Sequence, residues 1–216
     1  MKLVGRAAAP VVLAGALLAG LAGPAAAAAP AHSAPAVAQA TVQAPAAAPL
    51  SAAGVTESQW LADVRAALAP ARAYIEQRTS GAGAAVRPAI VFDIDNTTLQ
   101  THFHPFSQPA IGASLELATY AHARGVAVVF ITARPDFIES LTRCALQRAG
   151  YPVDGLHGRD LDDLFQPVQD FKTAQRAAVE AEGYTIIANV GNNTTDLEGG
   201  HADRTFKLPD YNGLLS

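Results

Sequence analysis

Two aspartates stand two residues apart where an apolar run stops: Ala89-Ile90-Val91-Phe92 is followed by Asp93-Ile94-Asp95-Asn96-Thr97. A strand sends alternate side chains to the same side, so both carboxylates can face one spot where the backbone opens. One of such a pair can act as nucleophile or metal ligand and the other as proton donor, a division set by environment. Asp-x-Asp alone is a weak signal, because turns also favour Asp and Asn. Similar placements recur along the chain. Thr132 follows the apolar run 126–131, with Arg134 behind it. Gly191-Asn192-Asn193-Thr194-Thr195-Asp196 follows the run 184–190, and Lys172 stands near the start of the helical stretch before that run.

These groups meet only if the runs that precede them are strands of one sheet. Thr56-Glu57-Ser58-Gln59 has the form of a capping box. Trp60, Leu61, Val64, Leu68, Tyr74 and Ile75 follow at helical spacing, with Pro70 predicting a break or kink and Gly81-Ala82-Gly83 an end. Residues 98–109 are polar and aromatic and read as a loop or small flap. Helices are predicted over 112–123, 135–149 and 170–182, closed by Gly125, Gly150 and Gly183. The unbroken apolar runs 126–131 and 184–190 suit strands buried on both faces of a parallel sheet, and 153–156 suits a short one. Strands alternating with helices predict right-handed βαβ units in an α/β fold, a three-layer α/β/α Rossmann-like sandwich with a mostly parallel sheet. Ligands of such sheets bind outside the carboxyl ends of the strands, where all four polar groups emerge.

That set suits phosphoryl transfer. A carboxylate can take the phosphoryl group as an acyl phosphate, and a neighbouring carboxylic acid can protonate the leaving oxygen and later activate water. A hydroxyl and a lysine can bind the equatorial oxygens while an oxygen-bound Mg²⁺ offsets charge. A Gly-x-x-x-x-Gly-Lys phosphate loop is not present.

With these residues in this order, the chain resembles phosphatases of the haloacid dehalogenase (HAD) superfamily, subfamily IIIB. This is the secreted or vacuolar acid phosphatase branch that also holds plant vegetative storage proteins. The resemblance runs from about Thr56 to Ser216. It rests on Asp93, Asp95 and Thr97; on Phe130-Ile131-Thr132-Ala133-Arg134; on Phe171-Lys172-Thr173; on Gly191 to Asp196; and on the tail Leu197-Glu198-Gly199-Gly200 to Phe206-Lys207-Leu208-Pro209. It implies a HAD-like fold and a Mg²⁺-dependent hydrolase of small phosphomonoesters. Asp93 would be nucleophile and metal ligand, and Asp95 general acid/base with its backbone carbonyl on the metal. Thr132, Lys172 and Thr97 would hold phosphate, and Asp196 would support the metal through water or by orienting its neighbours. The short loop after Asp95 implies a minimal cap and an open pocket.

One position departs from that pattern. Asn192 stands where the family usually has an Asp as direct Mg²⁺ ligand. An amide offers one neutral oxygen to a cation that prefers carboxylates. An active phosphatase with loosened metal binding, a feeble one, and a non-catalytic phosphate-binding or storage protein all stay open. On charge grounds, Asn192→Asp should raise Mg²⁺ affinity.

Residues 1–29 carry Lys2 and Arg6, an apolar stretch and an Ala-rich cleavage zone, the pattern of a secretory signal peptide. Residues 30–55, almost all Ala, Pro, Val, Gln, Ser and Thr, read as a disordered linker or stalk. The remainder, 56–216, suits one domain. The expected setting is secreted or wall-associated, off the membrane once the leader is cleaved, and the Ala-rich composition suggests an actinobacterial source. The formal net charge of −4, with no basic patch, disfavours nucleic-acid binding. The single cysteine, Cys144, rules out an intramolecular disulfide and reads as a small apolar core residue. His102 and His104 suit an exposed loop better than a metal pair. Arg134 has two open roles, reaching phosphate or pairing with Asp136 or Glu139. Asp160, Asp162 and Asp163 read as a solvated turn. The sequons at Asn96, Asn192 and Asn193 read as accidental.

Overall fold

The computed structural model describes residues 54–215; the predicted signal peptide (1–29) and the linker up to residue 53 lie outside the described residues. Five strands form one sheet: β1 (Pro88–Phe92), β2 (Ala127–Pro135), β3 (Gly155–Arg159), β4 (Thr185–Gly191) and β5 (Thr205–Lys207). Their order is β3-β2-β1-β4-β5, and every neighbouring pair is parallel. The helices are α1 (Glu57–Arg78), α2 (Gly112–His122), α3 (Glu139–Arg148), α4 (Val168–Ala181) and the single turn α5 (Thr194–Leu197).

The alternation along each strand builds the layers. Ile90, Phe92, Val128 and Phe130 point to one face, where they meet Trp60, Val64, Leu68 and Ile75 of α1, Leu117 and Ala121 of α2, and Leu146 of α3. Val91, Val129, Ile131 and Ile186 point to the other face and pack on Phe171 and Val179 of α4. The crossovers follow. The chain steps outward from β1 to β2 to β3 through α2 and α3 on the first face. It then returns past β1 to β4 through α4, and a right-handed crossover in the opposite direction must use the opposite face. The direction of winding therefore reverses beside β1, which opens a crevice between the carboxyl ends of β1 and β4.

The predicted three-layer parallel sandwich is the fold observed. Details differ from the sequence reading. α1 runs unbroken through Pro70, because residues 66 and 70 both face solvent and water can take the carbonyl that a proline cannot serve. β2 continues past Ile131 to Pro135, so Arg134 belongs to the strand end, with Thr132, and not to a helix start. β5 and α5 were not anticipated.

Between Phe92 and Gly112 there is no regular helix or strand, only bridges joining Leu99 to Asp95 and to Ala110. The base of this flap is nonetheless fixed. Thr98, Leu99 and Gln100 are buried, and the buried Tyr151 hydroxyl donates to the carbonyl of Thr98 at 2.8 Å. The Tyr151 ring stands edge-on to Phe130 of β2, with centroids 5.8 Å apart. Removing that hydroxyl takes one of two donors from the Thr98 carbonyl, which keeps the Ile111 N–H at 2.8 Å. Tyr151→Phe should therefore lose about 0.5–1.5 kcal/mol in urea denaturation, with the slope unchanged. An unchanged midpoint would show that the flap base is held by other contacts.

Candidate active site

Asp93 continues β1 by one residue, its N–H donating to the Val190 carbonyl of β4 at 3.0 Å. The ladder thus fixes the backbone of Asp93 at the mouth of the crevice. Lys172, in the second turn of α4, reaches the same point from beneath. Its Nζ donates to Asp93 Oδ1 at 2.6 Å and to Asp196 Oδ1 at 2.6 Å. All three side chains are buried. One ammonium between two carboxylates leaves the cluster with excess negative charge. Burial pushes the Asp93 carboxyl up to about 7 against the pull of Lys172, and the charges on Asp196 and Asp95 push the same way. Burial would lower the Lys172 ammonium, but Asp93 and Asp196 outweigh it and hold it above its ordinary value.

Asp196 has both carboxylate oxygens engaged: Oδ1 by Lys172, and Oδ2 by the Asn193 N–H at 2.8 Å. Its carbonyl accepts from Asn189 Nδ2 at 2.8 Å and Arg176 Nη1 at 2.7 Å. Arg176 is fully buried one turn beyond Lys172, and it also donates to the carbonyls of Glu198 and Gly200. It therefore shapes the loop that carries Asp196. The sequence reading missed it, though a charged residue in phase with Phe171, Lys172 and Val179 on a buried stripe was the available signal. Gly191 must lack a side chain, because a Cβ there would lie 2.3 Å from Asp196 Cβ.

Asn192 is buried beside Thr97. The Thr97 hydroxyl accepts from the Asn192 N–H at 3.1 Å and donates to Asn192 Oδ1 at 3.2 Å. Thr97 was expected to hold phosphate; its hydroxyl instead ties the β1 and β4 loops together, and the residue is fully buried. Asn192 Nδ2 donates to the Leu215 carbonyl at 2.9 Å. A carbonyl can only accept, so the amide oxygen is the atom turned toward Thr97. Asp93 and Asn192 each offer an oxygen, the donor type that a hard divalent cation such as Mg²⁺ takes.

Asp95 lives in a different environment. Its side chain is 44% exposed and is gripped at both oxygens by Arg134, with Nε to Oδ2 at 2.9 Å and Nη2 to Oδ1 at 2.7 Å. Arg134 also donates to Gln108 Oε1 of the flap at 3.2 Å. Asp95 is a partner the sequence reading did not name; Arg134 finds it because β2 runs on to Pro135 and carries the guanidinium past the flap. Thr132 is buried beside them, its hydroxyl accepting from the Arg134 N–H at 3.2 Å.

Other residues singled out in the sequence lie outside this cluster. His104 Nε2 is 3.0 Å from Glu57 Oε1 at the start of α1, while His102 is exposed and stands edge-on to Phe103. Asp160 and Asp163 each accept the other's backbone N–H across an exposed turn. Asn96 and Asn192 are buried with both ends of each amide hydrogen-bonded, so a glycan fits neither.

The raised Asp93 carboxyl carries a sign. Between its ordinary value of 3.8 and about 7, the folded chain keeps a proton that the unfolded chain has lost. Stability of the metal-free protein must therefore fall as pH rises through that window. Thermal melts in chelator should give a higher Tm at about pH 5 than at about pH 8, with the difference reduced in Asp93→Asn. An identical profile in the variant would assign the titration to another group.

A family model described as HAD superfamily, subfamily IIIB (Acid phosphatase) matches residues 104–214, a span that begins after Asp93 and Asp95. The "Stem 28 kDa glycoprotein" of Glycine max is 32% identical over 106 residues, covering 47% of this chain and 42% of that protein. "Acid phosphatase 1" of Solanum lycopersicum is 34% identical over 104 residues, covering 47% and 41%. The chain spans less than half the length of these curated relatives. The Class C acid phosphatase from Bacillus anthracis has the same fold, with a TM-score of 0.59 at 16% identity over 72% of this chain and 80% of that one. Its tungstate-bound structure gives 0.58 over the same shares. With the family model covering more than half of its residues, the chain belongs to the HAD superfamily, subfamily IIIB, the acid phosphatase family.

Proposed function

We propose that this protein hydrolyses small phosphomonoesters through transient phosphorylation of Asp93. One observation carries the reading: Asp93, at the β1–β4 crevice, is buried and paired through Oδ1 to Lys172, while its Oδ2 accepts no hydrogen bond among the described residues. One oxygen is thus anchored and the other is free to attack. Two residues on, Asp95 sits in a wetter setting suited to proton traffic.

In the first step Asp93 Oδ2 bonds to phosphorus as the bond to the leaving oxygen breaks, and Asp95 gives that oxygen a proton. In the second, Asp95 takes a proton from water, the water oxygen bonds to phosphorus, and the acyl-phosphate bond breaks to return Asp93 and release inorganic phosphate. Arg134 grips both oxygens of Asp95, and a phosphate dianion in the crevice would give the guanidinium another partner and leave Asp95 free to meet the leaving oxygen. Lys172 balances the charge that gathers on Asp93 and the phosphoryl oxygens. A Mg²⁺ ion bound by Asp93 and Asn192, with the Asp95 carbonyl, would supply further charge neutralisation at the phosphoryl group. Thr97 holds Asn192 in place for that role, and Asp196 holds Lys172.

The second reading is a phosphate-binding or storage protein on the same fold, favoured by the neutral amide at Asn192. Secretion rests on residues 1–29, and an actinobacterial source on the Ala-rich stretches up to residue 55.

Hydrolysis of a chromogenic aryl phosphate decides between them. The chain should turn over with added Mg²⁺, stop in chelator, and fall by about three orders of magnitude or more in Asp93→Asn. No turnover in the wild type, with activity appearing in Asn192→Asp, would establish the second reading. Asn192→Asp should also tighten Mg²⁺ binding in the wild-type background; unchanged or weaker binding would show that charge at this position does not limit affinity.

A further inference from the structure

Asn192 and Asn96 share one acceptor. Asn192 Nδ2 donates to the Leu215 carbonyl at 2.9 Å, and Asn96 Nδ2 donates to the same carbonyl at 2.8 Å. All three residues are buried, Leu215 completely. Asn96 directly follows Asp95 and has φ of 56°, a left-handed conformation that Asn tolerates better than most residues. Its Oδ1 accepts from the Thr101 hydroxyl at 3.2 Å and the His102 N–H at 2.8 Å. One carbonyl near the end of the described chain therefore joins the β1 loop, the β4 loop and, through Asn96, the flap.

The segment that presents this carbonyl is itself tied down. The Leu208 N–H donates to the Gly191 carbonyl at 2.8 Å, and Lys207 Nζ donates to the Asn192 carbonyl and pairs with Asp210 at 3.2 Å. The Tyr211 hydroxyl donates to Asp63 of α1 at 2.6 Å, and the Leu215 N–H returns to the Asp210 carbonyl at 3.1 Å. A carboxylate at position 192 could not donate, and would set a negative oxygen against the Leu215 carbonyl in a buried site.

We propose that Tyr211–Leu215 is a working part of the site, and that the Leu215 carbonyl keeps residue 192 an amide and orients it. What the amide is oriented for rests on the phosphatase reading; the hydrogen bonds do not. In Asn192→Asp the lost donor costs stability only where the Leu215 carbonyl is present, while the added charge acts in either chain length, so the two effects separate experimentally.

The test is a stability cycle in chelator, comparing Asn192→Asp in the full chain and in a chain ending at Asp210. The substitution should lower the folded-to-unfolded ratio about tenfold more in the full chain than in the shortened one, the added charge being common to both. Calorimetry with Mg²⁺ alone should show binding to the shortened chain weakened by about tenfold or more. An equal cost of Asn192→Asp in both chains, or none in the full one, overturns the proposal, whether or not turnover is found. If the shortened chain does not fold, Asn96→Ala and Asn192→Ala in the full chain serve instead. Each single variant leaves the carbonyl one donor, so the double variant should lose more than the product of the two single effects. A simple product overturns the shared-acceptor role.

Discussion

The ammonium of Lys172 lies buried between the carboxylates of Asp93 and Asp196, and the geometry of the site follows from that one contact. Removing one partner of a buried charge cluster leaves uncompensated charge in a dry interior, at a cost of about 3–5 kcal/mol. The surrounding chain is arranged so that none is removed. β1 and β4 bring the two aspartates to neighbouring strand ends, and α4, forced onto the opposite face by the reversal of winding, supplies the lysine. Gly191 gives Asp196 its room, and Arg176 binds the carbonyls of the loop that carries it.

The same contact separates the roles of the two aspartates after β1. Asp93 is dry, anchored at one oxygen and short of neutralising charge, which is the environment its proposed role as nucleophile asks for. Asp95 faces the mouth, gripped by Arg134 and partly open to solvent. Two residues of spacing place both carboxylates at one strand end; burial beneath one and solvent beside the other make them chemically different. The amides at Asn96 and Asn192 extend this frame toward the flap and the C-terminal segment without adding charge to a cluster that already has an excess.

Much of this was legible in the sequence. Strands buried on both faces of a parallel sheet leave unbroken apolar runs, and the polar residues that end them mark one sheet edge. That placed Asp93, Asp95, Thr132, Lys172, Asn192 and Asp196 toward one sheet edge, in the fold that is observed. β5 escaped because Thr205-Phe206-Lys207 has a single apolar residue and no period to read. The Arg134–Asp95 pair depended on how far β2 runs before turning, which the run to Ile131 does not state. The amide of Asn96 meets the Leu215 carbonyl across 119 residues of sequence, and a backbone acceptor leaves no side-chain signature at its own position. Thr97 was assigned to phosphate because a hydroxyl at a strand end is equally able to bind a ligand or a neighbouring loop. Only its burial decides.

The central claim is that Asp93 is the atom donor that reacts. Acid quench of the protein during turnover of an aryl phosphate, followed by peptide mass spectrometry, tests it directly. A phosphoryl group on the peptide bearing Asp93, absent in Asp93→Asn, is the predicted result. Steady turnover with no phosphorylated peptide at any quench time, or with the group on another residue, would contradict it.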